Sequence, residues 1–437
     1  MKTRLVAVCV LSLMAVLLLV SPSSAGNAAG VRANNDSPLR AGAAKIDITP
    51  DKPVNMSGYA GRKGLSTGVH DPLSARAVAF EVGGKRLVLI STDIIGFYEE
   101  VGGVMRQAIQ AECSLQPSEL FLCGIHTHAA PTPTLNRERA HANNVEYTEG
   151  LKLKLVEVAR KALANLEPVK LGVGVGSCPI GSNRRELRIT EKGESSIILG
   201  RNPYGTTDKE VVVVKVAKAD GAPLAVMFDY ATHGTALGTG NLTISGDVPG
   251  LAEQFVEKIL GPDVIAPIFV GASGNIDPWF RVLPKINEEP GWIPEPVLLG
   301  TFLGEEVVSV YRAIRQTNAA DKIATNFVTL QLPAKPPAAG STEKKRDSVP
   351  LNITVARIGD IAFVGLGAEV CTEIGMAIKA GSPCERTFVI THCNGAASYL
   401  PTKEMYVQSG YEVNTSPFGP QAAEIVIREA IRLLQDL

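Results

Sequence analysis

Apolar positions along the chain alternate between short runs rich in Val and Ile and longer stretches with apolar residues at helical spacing. Short β-branched runs are typical of buried strands, and the longer amphipathic stretches are typical of helices. The runs predict strands at residues 77–82, 86–91, 119–124, 211–216, 224–230, 266–270, 353–358, 361–366 and 387–390. The amphipathic stretches predict helices at residues 101–111, 148–164, 249–260, 296–316 and 421–437. This alternation predicts an α/β fold with mixed β-sheets flanked by helices in a single large domain.

The first 25 residues have the layout of a secretory signal peptide. Lys2 and Arg4 precede an apolar run at residues 5–20, and small residues ending at Ala25 follow it. The run is shorter than the ~20 residues that a membrane-spanning helix needs. We therefore predict an exported protein, secreted or periplasmic, with no transmembrane segment in the mature chain. The predicted organisation is a signal peptide at 1–25, a flexible leader at 26–42 and a catalytic domain at 43–437.

Composition excludes two classes of protein. The hydrophobic fraction is 45%, and 43 Lys and Arg residues against 44 Asp and Glu residues leave a net charge of −1. A disordered chain would be less apolar and more charged. A nucleic-acid partner is not expected, because phosphate binding needs a clustered basic surface. The six cysteines beyond the signal peptide are compatible with buried thiols or with one or two disulfides, and their pairing is left open.

Five apolar runs are followed by a short segment that carries a metal-binding or acidic side chain. In open α/β sheets, ligands collect in the loops beyond the carboxyl ends of strands. We therefore predict a site at the loop ends, where these runs converge. The residues that follow the five runs are His126 with His128, His233, Asp277, Glu369 and Tyr399.

Histidine placement indicates a metal. His126 and His128 are two residues apart, so on an extended backbone both rings would project from the same face. Two histidines and one carboxylate with an open position for water form a catalytic zinc set. His126 or His128, His233 and Glu369 could supply that set, and bound Zn²⁺ would lower the pKa of its water to about 7. The remaining histidines are predicted to be hydrogen-bonded loop residues: His70, His141 and His392.

Motifs in register along the chain resemble the catalytic N-terminal domain of the neutral/alkaline, non-lysosomal ceramidase family. The resemblance runs from about Gly42 to the C-terminus. Its motifs are Lys45-Ile-Asp-Ile-Thr-Pro50, Ser57-Gly-Tyr-Ala60, Gly68-Val-His70, Ala75-Arg76-Ala77, His126-Thr-His128-Ala-Ala-Pro131, Ser182-Asn183-Arg184, Asp208-Lys-Glu-Val, His233-Gly-Thr, Gly271-Ala-Ser-Gly-Asn-Ile-Asp-Pro278, Gly367-Ala-Glu369 and a Tyr-rich segment from Tyr399 to Glu412.

The resemblance implies a role for each matching position. The zinc ligands that it implies are His126, His233, Glu369 and Tyr399. His128 resembles the proton-transfer residue of the family, and Arg184 and Tyr411 resemble its substrate or oxyanion contacts. The implied reaction is attack of zinc-activated water on the amide of an N-acyl sphingoid base, which releases a fatty acid and an amine. The implied partner is thus a small-molecule or lipid amide, in sphingolipid metabolism.

Two departures from the family pattern bear on the substrate. The family motif reads Gly-Asp-x-Ser-Pro-Asn, whereas this chain has Asp277 where that serine stands. Asp277 could act as a base or hydrogen-bond acceptor, or could bind a polar headgroup, and its charge would favour a headgroup different from that of ceramide. Family ceramidases also carry a C-terminal immunoglobulin-like domain, whereas this chain ends in a predicted helix soon after Tyr411. We therefore expect the catalytic domain alone.

The leading hypothesis is an exported zinc-dependent amide hydrolase that resembles the ceramidases. The first alternative is a zinc-dependent esterase or deacylase acting on a sugar or peptide amide, and the motivation for it is Asp277. An amidohydrolase barrel, which also uses a His-x-His pair, is another alternative. The non-enzymatic hypothesis is a secreted binding protein whose catalytic site has drifted.

Overall fold

The computed structural model describes residues 38–279, 295–337 and 346–437. The predicted signal peptide lies outside the described residues, as does most of the predicted leader. Leu39 is buried and a strand begins at Arg40, so the last residues of the predicted leader belong to a sheet. The strands are β1 Arg40–Asp47, β2 Gly68–Val69, β3 Ser74–Val82, β4 Lys85–Thr92, β5 Leu120–Gly124, β6 Glu167–Ser177, β7 Gly181–Ile189, β8 Ser195–Asn202, β9 Glu210–Lys218, β10 Pro223–Tyr230, β11 Thr243–Ile244, β12 Ile268–Val270, β13 Ile276–Pro278, β14 Ile323–Pro333, β15 Ser348–Ile358, β16 Ile361–Leu366, β17 Glu369–Val370, β18 Arg386–Ile390 and β19 Tyr399–Leu400.

Each of the five predicted helices overlaps one of the eight α-helices in the described ranges, with ends shifted by up to six residues. The eight helices are α1 Glu99–Cys113, α2 Ala142–Ala164, α3 Asp247–Leu260, α4 Glu295–Ala313, α5 Thr372–Gly381, α6 Lys403–Gln408, α7 Tyr411–Thr415 and α8 Ala422–Gln435. Each predicted strand overlaps an observed one. The apolar pattern did not predict the strands β1, β7, β8 and β14 or the helices α5, α6 and α7.

Two sheets form the centre of the fold and helices cover their outer faces. The larger sheet has the order β12-β10-β9-β6-β1-β3-β4-β5, and the smaller has the order β14-β15-β16-β18. Between them lies one apolar layer, in which Phe121 of the larger sheet meets Phe363 of the smaller with ring centroids 6.4 Å apart. Helices α1 to α4 cover the larger sheet, and α5 and α8 cover the smaller. The α/β fold with helix-flanked mixed sheets is therefore confirmed.

Burial on both faces explains why the strand runs are continuously apolar. In β4, Leu87 and Leu89 face the layer between the sheets, whereas Val88 and Ile90 face the helices α1 and α2. Successive side chains of a strand point to opposite faces, so a strand covered on both sides needs apolar residues at every position. These runs position the loops that follow them.

The sheet pairing excludes the barrel alternative. Within the larger sheet, β1 pairs antiparallel with β3 and β6, and β9 pairs antiparallel with β6 and β10. A (β/α)₈ barrel requires parallel strands throughout. The described residues of Asp36–Leu437 form one compact unit. Each helix in the described ranges is too short or too polar to cross a bilayer.

Three parallel pairs of strands converge on one edge of the molecule. They are β4 with β5, β10 with β12, and β16 with β18. The carboxyl ends of parallel strands open at the same edge of a sheet, and the segments that follow these strands carry the residues predicted for the site. The sequence prediction of converging loop ends thus has a structural basis.

Candidate active site

His126 follows β5 and adopts a left-handed backbone conformation, with φ of 60°. The predicted extended backbone at the histidine pair is therefore wrong. The Nδ1 atom of His126 lies 2.8 Å from the carbonyl oxygen of Ile95, and its ring is almost fully buried. A left-handed residue is costly for a side chain with Cβ, so the surrounding contacts must hold this conformation. The rings of His126 and His128 nevertheless meet, with their Nε2 atoms 3.3 Å apart.

The segment after β10 brings His233 to the pair through a close backbone approach. Thr127 and Gly234 form an isolated parallel bridge, and the amide of His128 donates to the carbonyl of Gly234 at 2.8 Å. A Cβ at Gly234 would lie 2.8 Å from Cα of Thr127, so only glycine permits this approach. The Nδ1 atom of His233 lies 2.9 Å from the carbonyl oxygen of Ser273. Both His126 and His233 thus direct Nδ1 at backbone carbonyls.

Glu369 and Tyr399 are neighbours because two short strands pair in parallel. Glu369 of β17 lies opposite Tyr399 of β19. The Oε1 atom of Glu369 accepts a hydrogen bond from the hydroxyl of Tyr98 at 3.3 Å. Both Glu369 and Tyr399 are buried. A helix and a strand separate these two residues in the sequence, and the pairing of β17 with β19 brings them together.

Three acceptor atoms face one another at the centre of the site. Oε2 of Glu369 lies 3.4 Å from Nε2 of His126 and 3.7 Å from Nε2 of His233. Because carbonyls hold the protons of both rings at Nδ1, each Nε2 presents a lone pair. Within the described part of the chain, Oε2 of Glu369 has no hydrogen-bond donor. Nη1 of Arg184 lies 3.2 Å from Nε2 of His233 and offsets part of the repulsion among these buried acceptors. Two imidazole nitrogens and a carboxylate oxygen form a donor set that fits a metal ion.

Two overlapping groups of three residues could hold a metal ion. Within each group, the candidate ligand atoms all lie within 4.8 Å of one another. One group is His126, His128 and His233, and the other is His126, Glu369 and His392. Each side chain is at least nine-tenths buried. Tyr399, which the resemblance implies as a fourth ligand, adjoins Glu369 through the β17–β19 pair.

His128 has the properties of a neutral base. Burial, together with the neighbouring His126 and His233, lowers its pKa well below the usual value, so the ring is uncharged at neutral pH. Its Nδ1 atom has no hydrogen-bond partner among the described residues. Gly58 makes room for the ring, since a Cβ there would lie 2.3 Å from Nδ1 of His128.

Arg184 joins the histidines to a buried ionic network. The register of β7 with β13 places Ser182 opposite Asp277. Arg184 lies two residues further along β7, and its Nη1 atom donates to Oδ1 of Asp277 at 3.2 Å. Nε of Arg184 donates to Glu412 at 2.9 Å. Burial alone would raise the pKa of Asp277, but the guanidinium charges of Arg184 and Arg201 hold it below its usual value. Asp277 is therefore an ionised, compensated carboxylate.

This compensation changes what Asp277 can do. Arg201 of β8 lies 3.4 Å from Oδ2 of Asp277, so both carboxylate oxygens face guanidinium groups. A carboxylate held by two cations is a weak base, because its proton affinity is reduced. We therefore retain for Asp277 the role of a hydrogen-bond acceptor that positions Arg184.

A cavity of about 1340 Å³ opens onto the metal-competent residues. His126, His128, Glu369, Tyr399 and Tyr411 line its inner end. Tyr411 is the most exposed of these, at 43%, and its ring lies 5.5 Å from that of Tyr399. The structure thus brings Tyr411 to the edge of the site, as the resemblance implies for a substrate contact. The outer wall is the loop at residues 132–138.

Sequence reasoning missed His392. It was predicted to be a hydrogen-bonded loop residue, but its Nδ1 has no hydrogen-bond partner in the described ranges, so that prediction is wrong at this atom. Its ring stacks on His126, with centroids 3.9 Å apart. A signal was present, because His392 lies two residues after the end of β18. The prediction is confirmed for His70, which contacts Asp71 at 2.6 Å, and for His141, which accepts from the amide of Asn143.

Comparison with known proteins identifies the family of this chain. Residues 39–277 match the family model of the neutral/alkaline non-lysosomal ceramidase N-terminal domain. The chain belongs to this family. The match includes the segments that carry His126, His128, Arg184 and His233, and ends at Asp277.

Relatives and solved structures agree with the family. A neutral ceramidase of Oryza sativa subsp. japonica is 29% identical over 235 residues, which cover 51% of this chain and 29% of that protein. The neutral ceramidase of Pseudomonas aeruginosa is 25% identical over 273 residues, which cover 59% of this chain and 38% of that protein. The segments aligned with these two relatives therefore span well under half of the relatives' length.

The fold extends beyond the residues that the family model matches. A crystal structure of the Pseudomonas aeruginosa neutral ceramidase superposes with a TM-score of 0.74 at 19% identity, covering 91% of this chain and 74% of that one. A ceramidase complexed with C2 superposes with a TM-score of 0.71, also at 19% identity, covering 91% and 75%. At this identity the likeness establishes the fold.

Proposed function

We propose that this protein is a zinc-dependent amide hydrolase that cleaves the amide of an N-acyl sphingoid base, a ceramide-like lipid. The observation that carries the proposal is the meeting of His126, His233 and Glu369 as three unprotonated donors at the end of a large cavity. Family membership supports the amide as the bond cleaved. The proposed zinc ligands are these three residues and Tyr399.

The roles of the side chains follow from their surroundings. Zinc, when bound, supplies a Lewis acid that lowers the pKa of water to about 7. His128 is neutral and adjoins His126, so it accepts a proton from the attacking water and returns it to the leaving amine. The carbonyls that hold Nδ1 of His126 and His233 fix the orientation of both rings.

Arg184 and Tyr411 both lie next to Tyr399. Burial raises the pKa of the Tyr399 hydroxyl well above its usual value, and the guanidinium of Arg184, centred 5.3 Å from the ring centroid of Tyr399, acts in the opposite direction. Tyr411 lines the cavity and is close enough to Tyr399 to contact a substrate that reaches the site. Arg184 thus stabilises negative charge, whereas Tyr411 orients the substrate.

A second candidate function is hydrolysis of a non-ceramide amide or ester by the same residues. The observation that favours it is the wall formed by residues 132–138, in which five of the seven lining residues are polar or charged: Thr132, Thr134, Asn136, Arg137 and Glu138. Two alkyl chains would gain little from burial against these groups, because hydrophobic stabilisation scales with the apolar area removed from water. A substrate with a hydroxylated or amide-bearing group would find hydrogen-bond partners there.

A substrate panel with metal analysis tests the proposal. The purified full chain is assayed on N-acylsphingosine, an N-acyl sugar amine, an N-acyl amino acid and an ester of the same acyl group. We expect one zinc ion per chain and turnover of N-acylsphingosine, which a chelator abolishes and zinc restores. Preferred turnover of another substrate would favour the second candidate. Bound zinc without turnover of any substrate would favour a drifted binding protein, and absence of zinc would contradict both enzymes.

Substitution of Asp277 tests whether its charge selects the substrate. We expect Asp277→Asn to lower kcat/KM by about 10-fold, and equally for neutral and amine-bearing amides, because Arg184 and Arg201 already compensate the charge. Steady-state kinetics on the two kinds of substrate provide the measurement. A loss confined to the amine-bearing amide would instead assign Asp277 to headgroup binding, and a loss of 10²-fold or more in kcat alone would assign it to general base catalysis.

The proposal also covers where the protein acts, which is outside the cytoplasm. We propose export through the signal peptide at residues 1–25, which has the charged, apolar and small segments of such a peptide. An N-terminus near Gly26 in protein recovered outside the cytoplasm would agree with this, and retention of Met1 there would contradict it.

A further inference from the structure

Cys123 and Cys393 lie directly opposite each other where β5 meets the segment after β18. They form an isolated antiparallel bridge. The amide of Gly124 donates to the carbonyl of His392, and the amide of Asn394 donates to the carbonyl of Leu122. Because these bonds flank the cysteines, Cys123 and Cys393 are a non-hydrogen-bonded pair.

The geometry of such a pair suits a disulfide. In a non-hydrogen-bonded antiparallel pair the Cα atoms are about 4.5 Å apart, and side chains on the same face are close. Disulfides accept Cα separations from about 4.4 to 6.8 Å. The register therefore places Cys123 and Cys393 at the short end of the permitted range, without backbone movement. The sequence left the pairing of the six cysteines open, and the fold singles out these two.

The side chains make the contact that the register predicts. Burial and the neighbouring thiol of Cys393 both raise the pKa of the Cys123 thiol well above its usual value, and both residues are at most 1% exposed. Gly365 of β16 leaves space for the sulfur, since a Cβ there would lie 2.4 Å from Sγ of Cys393. The two sulfur atoms are thus confined next to each other in the apolar layer between the sheets.

We propose that Cys123 and Cys393 are a disulfide-forming pair that cross-links the two halves of the candidate active site. In the reaction, the two S–H bonds are lost and one S–S bond forms. The two electrons and two protons pass to a disulfide oxidant such as oxidised glutathione, which becomes two thiols.

The cross-link would connect segments that hold different site residues. Cys123 lies three residues before His126, and Cys393 directly follows His392 and precedes Tyr399. Cys393 is also bonded to the smaller sheet, because its amide donates to the carbonyl of Leu366 at 3.1 Å. A disulfide here would fasten the edge of the larger sheet to the smaller sheet directly beneath the site.

Peptide mapping tests the pair without depending on the proposed function. The folded full chain is incubated with oxidised glutathione, denatured, alkylated without reductant and digested for mass spectrometry. We expect a peptide that joins Cys123 to Cys393 and two fewer alkylated cysteines than in a reduced sample. Alkylation of both residues, or a disulfide of either one with another cysteine, would overturn the proposal.

Two variants make the result specific. Cys371→Ser removes a buried thiol outside the bridge and is expected to retain the cross-linked peptide. Cys123→Ser is expected to lose that peptide and to leave Cys393 alkylated. If Cys123→Ser does not fold, the wild-type and Cys371→Ser maps still decide the question, because each measures the same peptide.

Discussion

His233→Ala is expected to remove the bound metal and to lower amide hydrolysis at least about 10³-fold, equivalent to about 4 kcal/mol of transition-state stabilisation. The reason lies in the shape of the site. His233 presents Nε2 toward Glu369 while two carbonyls hold Nδ1, so alanine deletes a donor that no flexible neighbour can replace. Metal content by elemental analysis and turnover of the preferred amide are the two measurements.

The matched control is a histidine outside the site. His141 lies at the N-terminus of α2 and accepts a hydrogen bond from the amide of Asn143. Asparagine is an equally good residue at this position, so His141→Asn is expected to keep both metal and activity. Full metal content and unchanged turnover in His233→Ala would refute the proposed ligand set. Thermal unfolding of both variants shows whether either loss reflects misfolding.

The position of the site was predictable because strand ends are visible in the sequence. Short apolar runs followed by His126, His233 and Glu369 could be identified without a structure, since buried strands need apolar residues on both faces. Their convergence then follows from the parallel pairing of the strands before them. The left-handed conformation of His126 could not be predicted in this way, because tertiary contacts impose it.

Strand β6, which lies between β9 and β1 in the larger sheet, shows where an apolar pattern does not reveal a buried face. Three of its alternate positions are glycines, Gly172, Gly174 and Gly176, and a Cβ at each would lie within 2.8 Å of a side chain of α4 or the segment after it. Helix α4 and the segment after it pack directly against the backbone of these glycines. This face of β6 is therefore buried without the apolar side chains by which a buried face is recognised in a sequence. A sequence pattern reports side chains, so it cannot detect a face buried by their absence.

The second prediction concerns the stability of the protein and the buried residue Arg76. Arg76 of β3 is completely buried, and its guanidinium contacts Asp93, Glu253 and Glu257. Lys45 also binds Glu257, at 2.7 Å. Arg76→Met is expected to lower the free energy of unfolding by about 3–5 kcal/mol, because it leaves buried carboxylates without their main cation. Urea denaturation monitored by circular dichroism measures the change.

The control for Arg76 is an exposed ion pair. Lys52 binds Glu146 on the surface, and Lys52→Met is expected to change the free energy of unfolding by less than about 1 kcal/mol. A loss below about 1 kcal/mol in Arg76→Met would show that the carboxylates find other compensation. Methionine is shorter than arginine, so Arg76→Met removes some packing together with the charge and the hydrogen bonds.

The effect of Arg76→Met also has a predictable dependence on pH. Burial already raises the pKa of Glu253 well above its usual value and raises that of Asp93, and removal of the arginine raises both further. The folded variant then keeps protons that the unfolded chain has released, so its stability increases as the pH falls. We therefore expect the difference between Arg76→Met and the wild type to be smaller at pH 5 than at pH 8. A difference that does not depend on pH would indicate lost packing, because packing is insensitive to the protonation of these carboxylates.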